Sequence, residues 1–141
     1  MNKDKVLAEI CQKYNIRLAY LFGSQVEKGL RILQGEKVGV SDLLTDLDVG
    51  VVTCDPLPLP AQRSKLYADL AIDLGDLFEP FPLDLVFLEE NHSVFQAEAL
   101  KGRCIYASAE GAKDSYELNV LRRAADFRPF LEMFLQEALE G

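Results

Sequence analysis

Over residues 3–14 apolar side chains recur at helical spacing. Val6, Leu7, Ile10, Cys11 and Tyr14 fall on one side, with Lys3, Lys5, Glu9 and Lys13 on the other, which predicts an amphipathic helix. Asn15 is a stop signal. The period then shifts. Residues 17–22, Arg-Leu-Ala-Tyr-Leu-Phe, are a short apolar run closed by Gly23-Ser24 and read as a buried strand. Residues 25–45 carry Gly29, Gly35 and Gly39 as punctuation and leave a short helix or a hairpin open around Leu30–Leu33. The β-branched stretch 47–53 predicts a second strand, and the prolines at 56, 58 and 60 a loop.

Leu66, Leu70, Leu74 and Leu77 then repeat with helical period, predicting a helix over 61–78 that Pro80 and Pro82 terminate. Residues 83–88, Leu-Asp-Leu-Val-Phe-Leu, form a third strand, 93–101 a short helix closed by Gly102, and Cys104 to Tyr106 a last edge strand. Residues 113–140 are helical, with Leu118, Leu121, Ala125 and Phe127 before Pro129 and a packed set of Phe130, Leu131, Phe134, Leu135 and Leu139 after it. Pro129 is predicted to kink or split this helix. Buried strands flanked by helices predict an α/β (α+β) sheet with helical cover.

Composition narrows the class. The 141 residues are 49% hydrophobic and 27% charged, values of a globular protein and not of a disordered, collagenous or coiled-coil one. The length fits one domain over 1–141, with the helical segment about 113–140 at its C-terminal end. No uncharged stretch reaches the length of a bilayer span, and Met1-Asn2-Lys3-Asp4 leads into a charged segment without a signal-peptide core. A cytoplasmic protein with no membrane association is expected.

The net charge is −8. Residues 1–70 are balanced, with nine basic and nine acidic side chains; residues 71–141 carry six and fourteen. Such a surface repels phosphate backbones, so nucleic-acid binding is disfavoured. It suits a divalent cation or a basic protein partner, and equally serves solubility. Cys11, Cys54 and Cys104 are scattered, and His92 is the sole histidine. Neither a disulfide framework nor a zinc site follows, and His-based nucleophilic mechanisms are largely removed. His92, in a predicted loop, reads as structural or exposed.

Two features carry chemistry. Phe22-Gly23-Ser24 ends one buried strand, and Asp46-Leu47-Asp48 begins the next. Residues i and i+2 of a strand share a face, so Asp46 and Asp48 point together. Close carboxylates repel unless a cation lies between them, and all-oxygen donors suit Mg²⁺. Asp84, inside an apolar strand, completes a three-carboxylate cluster if its strand lies beside that of Asp46 and Asp48. A cluster of this kind can hold two ions for in-line displacement at phosphorus. Gly23 permits close backbone approach, and Ser24 offers a hydroxyl and an amide to phosphate oxygens. Taken singly each part has a bland reading: Asp46 and Asp48 as turn caps, Asp84 as an edge position.

The ordered pattern Leu21-Phe22-Gly23-Ser24, Ser41-Asp42 and Thr45-Asp46-Leu47-Asp48-Val49 resembles the minimal nucleotidyltransferases of the DNA polymerase β superfamily. More closely it resembles the MntA-type antitoxins paired with HEPN-domain toxins, through the third Asp strand and the tail 99–106 before a terminal helix. The resemblance implies a small mixed sheet with helices on one face. It implies that Gly23 and Ser24 contact nucleotide phosphates and that Asp46 and Asp48 bind Mg²⁺. Asp84 is implied to bind the catalytic ion and to help deprotonate the acceptor. ATP is the implied donor, and AMP passes to a tyrosine of a HEPN toxin. The sequence is compatible with a homo-oligomer.

Two departures stand out. Twenty-one residues separate Ser24 from Asp46, an expanded loop. The arginine that commonly follows the Gly-Ser is absent from Gln25-Val26-Glu27-Lys28-Gly29, which leaves Lys28 or Arg31 to supply positive charge. Two other readings stay open. One is a non-catalytic antitoxin that binds its partner through Arg122, Arg123 and Arg128 with Phe127, Phe130 and Phe134. The other is nucleotide transfer to a small molecule.

Overall fold

The computed structural model describes residues 2–39 and 45–140, and within the last helix it leaves the side chains of residues 128, 130, 131, 134, 135, 139 and 140 undescribed. Ser41 and Asp42 therefore lie outside the described residues, as do Arg128 and the packing expected of Phe130, Leu131, Phe134, Leu135 and Leu139.

The elements follow in the order α1 (Asp4–Lys13), β1 (Ile16–Phe22), α2 (Val26–Leu33), β2 (Leu47–Thr53), α3 (Pro60–Leu77), β3 (Leu83–Phe87), α4 (Ser93–Ala99), β4 (Arg103–Ala107) and α5 (Ala112–Glu140). Asn15 turns the chain out of α1 with φ 56°, a left-handed conformation that asparagine tolerates. Pro60 opens α3, where its missing N–H costs nothing. The uncertain stretch after Ser24 resolves into the helix α2. His92 caps α4 by accepting from the Val94 amide at 3.2 Å, and its ring lies 4.2 Å from that of Phe127.

The strands form one mixed sheet in the order β3-β2-β1-β4. β1 runs antiparallel to β2 and to β4, and β2 runs parallel to β3. A parallel pair needs a crossover, and α3 supplies it. Side chains alternate across the sheet. Ala19 and Leu21 of β1, Leu47, Val49 and Val51 of β2, and Leu85 and Phe87 of β3 pack with Leu7 and Cys11 of α1, Ile32 of α2, and Leu70 and Leu74 of α3. Full burial of each such leucine stabilises by about 1.5–3 kcal/mol.

The opposite face is also covered. Leu18 and Tyr20 of β1, Val52 of β2 and the buried Leu88 pack under Ala99 of α4 and against Ala112 and Tyr116 of α5. Helices thus lie on both faces, a correction to the one-sided cover implied by the resemblance. The reason is legible in β1: Leu18, Ala19, Tyr20 and Leu21 are all buried, so neither face tolerates water. Three side-chain hydrogen bonds fasten this layer: Tyr20 donates to Glu117 at 2.8 Å, Tyr116 to Gln96 at 2.5 Å, and Gln96 to the Asn91 carbonyl at 2.7 Å.

α5 continues unbroken through Pro129, so the predicted split does not occur. The ring removes one N–H whose acceptor would be the carbonyl of Ala125. Ala125 and Pro129 are exposed, so water can take that place. No helix among the described residues is long and apolar enough to cross a membrane.

Gly102 joins α4 to β4 where the chain crowds β1. A Cβ there would run into the Leu21 carbonyl oxygen and lie 2.8 Å from Phe22 Cα. Gly102→Ala is expected to destabilise the domain by about 1–3 kcal/mol through backbone overpacking. Gly75→Ala, inside α3 with open space beside it, is expected to stabilise it by about 0.5–1 kcal/mol. Urea denaturation of both variants beside the native chain checks the two signs.

Candidate active site

β1 ends at Phe22, which stands opposite Asp48 of β2, and Asp48 stands beside Asp84 of β3. The parallel register therefore brings together two of the carboxylates singled out in the sequence. Both project from the sheet face that α4 and α5 cover further along. Asp46 precedes β2 by one residue, and the start of that strand is fixed by the Leu47 amide donating to the Pro82 carbonyl at 2.8 Å. Asp46 and Asp84 are exposed and Asp48 is half-buried.

Burial pushes the Asp48 carboxyl above its ordinary value, the Asp84 charge and a hydrogen bond with Asp84 push it further, and Asp46 adds to the effect. No Lys or Arg is ion-paired to any of the three among the described residues. This concentration of uncompensated negative charge on oxygen donors fits a hard divalent cation. As they stand, no three His, Cys, Asp or Glu side chains among the described residues are arranged to hold a metal ion. The structure brings Asp48 and Asp84 together, and Asp46, at the entrance to β2, does not complete the three-carboxylate cluster expected from the sequence.

Gly23 opens a short 3-10 turn, Gly23–Gln25, that leads into α2. Its φ of 77° and its position both demand glycine: a Cβ there would run into the Asp48 carboxylate and lie 3.3 Å from Asp48 Cγ. The Gly-Ser turn therefore lies against Asp48. Ser24 is exposed, and its hydroxyl accepts from Gln25 at 3.1 Å. Amides at the head of a helix favour anions.

On the other side of Gly23 lies a cleft of about 370 Å³ lined by Gly23, Val26, Glu98, Lys101, Gly102 and Arg103. Lys28 is not in its lining; its ammonium sits 5.8 Å from the centre of the Phe81 ring. Lys101 and Arg103 belong to the tail 99–106 of the sequence reading, which did not single them out as site residues.

A family description, Polymerase beta, Nucleotidyltransferase, matches residues 5–111. The chain belongs to the polymerase beta nucleotidyltransferase family. The fold of this nucleotidyltransferase is shared by several solved structures. It is 15% identical to a chain of a mutant MntA toxin–antitoxin complex, at TM-score 0.66, with 99% of each chain covered. It is likewise 15% identical to a chain of a toxin–antitoxin structure with AMP-PNP, at TM-score 0.65, covering 96% of this chain and 98% of that one. A third match is to a tri-AMPylated Shewanella oneidensis HEPN toxin in complex with MNT antitoxin, with 15% identity, TM-score 0.64, and 97% and 96% of the two chains covered. No curated protein sequence matches this chain.

The raised Asp48 carboxyl has a thermodynamic sign. The folded chain binds that proton more tightly than the unfolded chain, so stability falls as pH rises from the ordinary Asp value through the raised one. Asp48→Asn removes this loss. Without divalent ions the variant is expected to melt above the native protein at neutral pH, and the gap is expected to close in acid. Thermal melts at both pH values check the sign.

Proposed function

We propose that this chain is a Mg²⁺-dependent nucleotidyltransferase that moves AMP from ATP to a hydroxyl, namely a tyrosine of a HEPN toxin, and so acts as an antitoxin. One observation carries the reading: the Asp48–Asp84 pair, with no ion-paired Lys or Arg among the described residues, lies against the positive-φ Gly23 of the Gly23-Ser24 turn. The named contents of the similar complexes support the AMP donor and the HEPN partner.

In this reading Asp46, Asp48 and Asp84 hold one or two Mg²⁺. Such an ion would supply neutralising charge at the reacting phosphate. Ser24 and the turn amides bind phosphate oxygens and hold the α-phosphorus beside the carboxylates. Lys28, in the first turn of α2, is the cation that the sequence position offers to the phosphates. Asp84 takes the proton of the acceptor hydroxyl. The acceptor oxygen bonds to the α-phosphorus as the bond to the bridging oxygen breaks, and pyrophosphate leaves with that electron pair. A tyrosine hydroxyl, with an ordinary pKa near 10, needs modest help to ionise. Most of the acceleration comes from positioning and electrostatics.

A second reading, the non-catalytic partner-binding module, draws on α5. Leu118 and Leu121 are 51% and 53% exposed, and Arg122 and Arg123 are exposed beside them.

MgATP is expected to raise the melting temperature of the native protein and not that of Asp46→Asn/Asp48→Asn. At about a hundred times its dissociation constant a ligand adds roughly 2.7 kcal/mol. ATP labelled at the α-phosphate is expected to label a HEPN toxin in the presence of the native chain only. Equal labelling by the double variant refutes the assignment. Binding of the toxin without MgATP response or labelling favours the module.

A further inference from the structure

A separate cleft of about 380 Å³ opens at the other end of the sheet, where β1 begins and β2 ends, between those strands and the helices α4 and α5. Thr53, which lines it, lies five residues beyond Asp48 along β2, a span of roughly 16 Å. The buried polar side chains among the described residues are Thr53 and Gln96, and both line this cleft. Burying polar groups is costly unless they are bonded. Here the Thr53 amide donates to the Glu89 carboxylate at 2.9 Å, and the Thr53 hydroxyl lies between the Asp55 carbonyl and the second Glu89 oxygen, at 2.5 and 3.1 Å. Gln96 is fixed by Tyr116 and by the Asn91 carbonyl.

The acids of the cleft are likewise engaged. Besides its bonds to Thr53, Glu89 feels the charge of Arg17, which opposes the upward push that burial gives its carboxyl. The Asp55 carboxylate accepts from the Asn15 amide at 2.6 Å. What is left over is donor capacity. Arg17, on β1, spends one N–H on the Cys54 carbonyl at 3.1 Å. Ser115, Asn119 and Arg123 recur at every fourth residue of α5, so they share one side of it, and all three line the cleft. None of their side chains has a hydrogen bond or ion pair among the described residues. A hydroxyl, an amide and a guanidinium are therefore free to donate, and a guanidinium fork matches the oxygens of a phosphate or a carboxylate.

We infer that this cleft is a second ligand site, separate from the paired carboxylates, that takes a small molecule by an oxyanion group bound to Arg17 and Arg123. The two guanidinium groups belong to different elements, so an occupant ties α5 to the sheet. The inference holds whether or not the chain transfers nucleotides.

The test follows the backbone amide NMR resonances of the full chain during titration with inorganic phosphate and, separately, with sodium acetate, at constant pH and ionic strength. Thr53, Asn119 and Arg123 are expected to shift and to saturate. Arg123→Ala and Arg17→Ala are each expected to weaken that binding about tenfold or more, the effect of losing a charged hydrogen bond. Arg122→Ala, next along the chain and also exposed, is expected to leave it unchanged. The spectra report folding directly, and Arg123→Gln repeats the measurement should an alanine variant not fold. Saturation by phosphate alone marks the bound group as a phosphoryl, and saturation by acetate, alone or as well, as a carboxylate. Failure of both to saturate overturns the inference. So does a response confined to residues 23–25 and 101–103, which belongs to the cleft beside Gly23. Equal weakening by Arg122→Ala overturns it too, since that reports only general attraction between charges.

Discussion

Everything at the site depends on the backbone hydrogen bonds that hold β2 parallel to β3. They set Asp48 beside Asp84, an arrangement that two free carboxylates would avoid. The cost is visible in the raised Asp48 carboxyl, and its causes are burial and the neighbouring charges. Such a pair persists only because the rest of the sheet over-determines it. Leu47, Val49 and Leu85 flank the two acids and point into the opposite face, where they are buried among α1, α2 and α3. A register slip of one residue would send the acids into that core and the leucines into water.

The same logic explains the second helical layer. β1 is buried on both faces, and Tyr20 is 1% exposed with its hydroxyl bonded to Glu117. α4 and α5 cover this face, and Phe95 of α4 packs edge-on against Phe22 at the end of β1, with ring centres 6.0 Å apart. That end keeps Asp46 and Asp84 exposed and holds Gly23 against Asp48. A covered sheet with one open end is a rigid platform for charged groups, and preorganised charge is what phosphoryl chemistry asks of a protein.

Glycine is what lets the backbone close around the site. Gly23 turns with positive φ directly over the Asp48 carboxylate, and Gly102 passes against Leu21 and Phe22. One brings the amides of the turn to the acids. The other brings a basic edge to the far side of that turn. The acidic surface of the chain and the cationic cleft thus coexist without contradiction. The charge that matters to a phosphate is local, within about a Debye length of 8–10 Å.

Much of this was legible along the chain. The period of Leu66, Leu70, Leu74 and Leu77 predicted α3, and the apolar runs predicted β1, β2 and β3. The Gly-Ser, Asp-x-Asp and single Asp in order were enough to suggest the family before any fold was known. Local periodicity carries that information because it records which side of an element meets water. Four things lay beyond it. The choice between helix and hairpin for α2 was one of them, since glycines at 29, 35 and 39 interrupt the stretch. The second helical layer depends on both faces of β1 being dry, which a four-residue apolar run does not specify. Pro129 sits inside α5 on an exposed stretch, with Ala125 one turn earlier also exposed. The meeting of Gly23 with Lys101 and Arg103 depends on β4 pairing with β1 across some eighty residues of chain. Sequence dictated the elements and the acids that one strand presents. Only the tertiary pairing of β3 with β2 and of β4 with β1 decided which acid and which cation those residues face, because hydrogen bonding between strands obeys register and not distance along the chain.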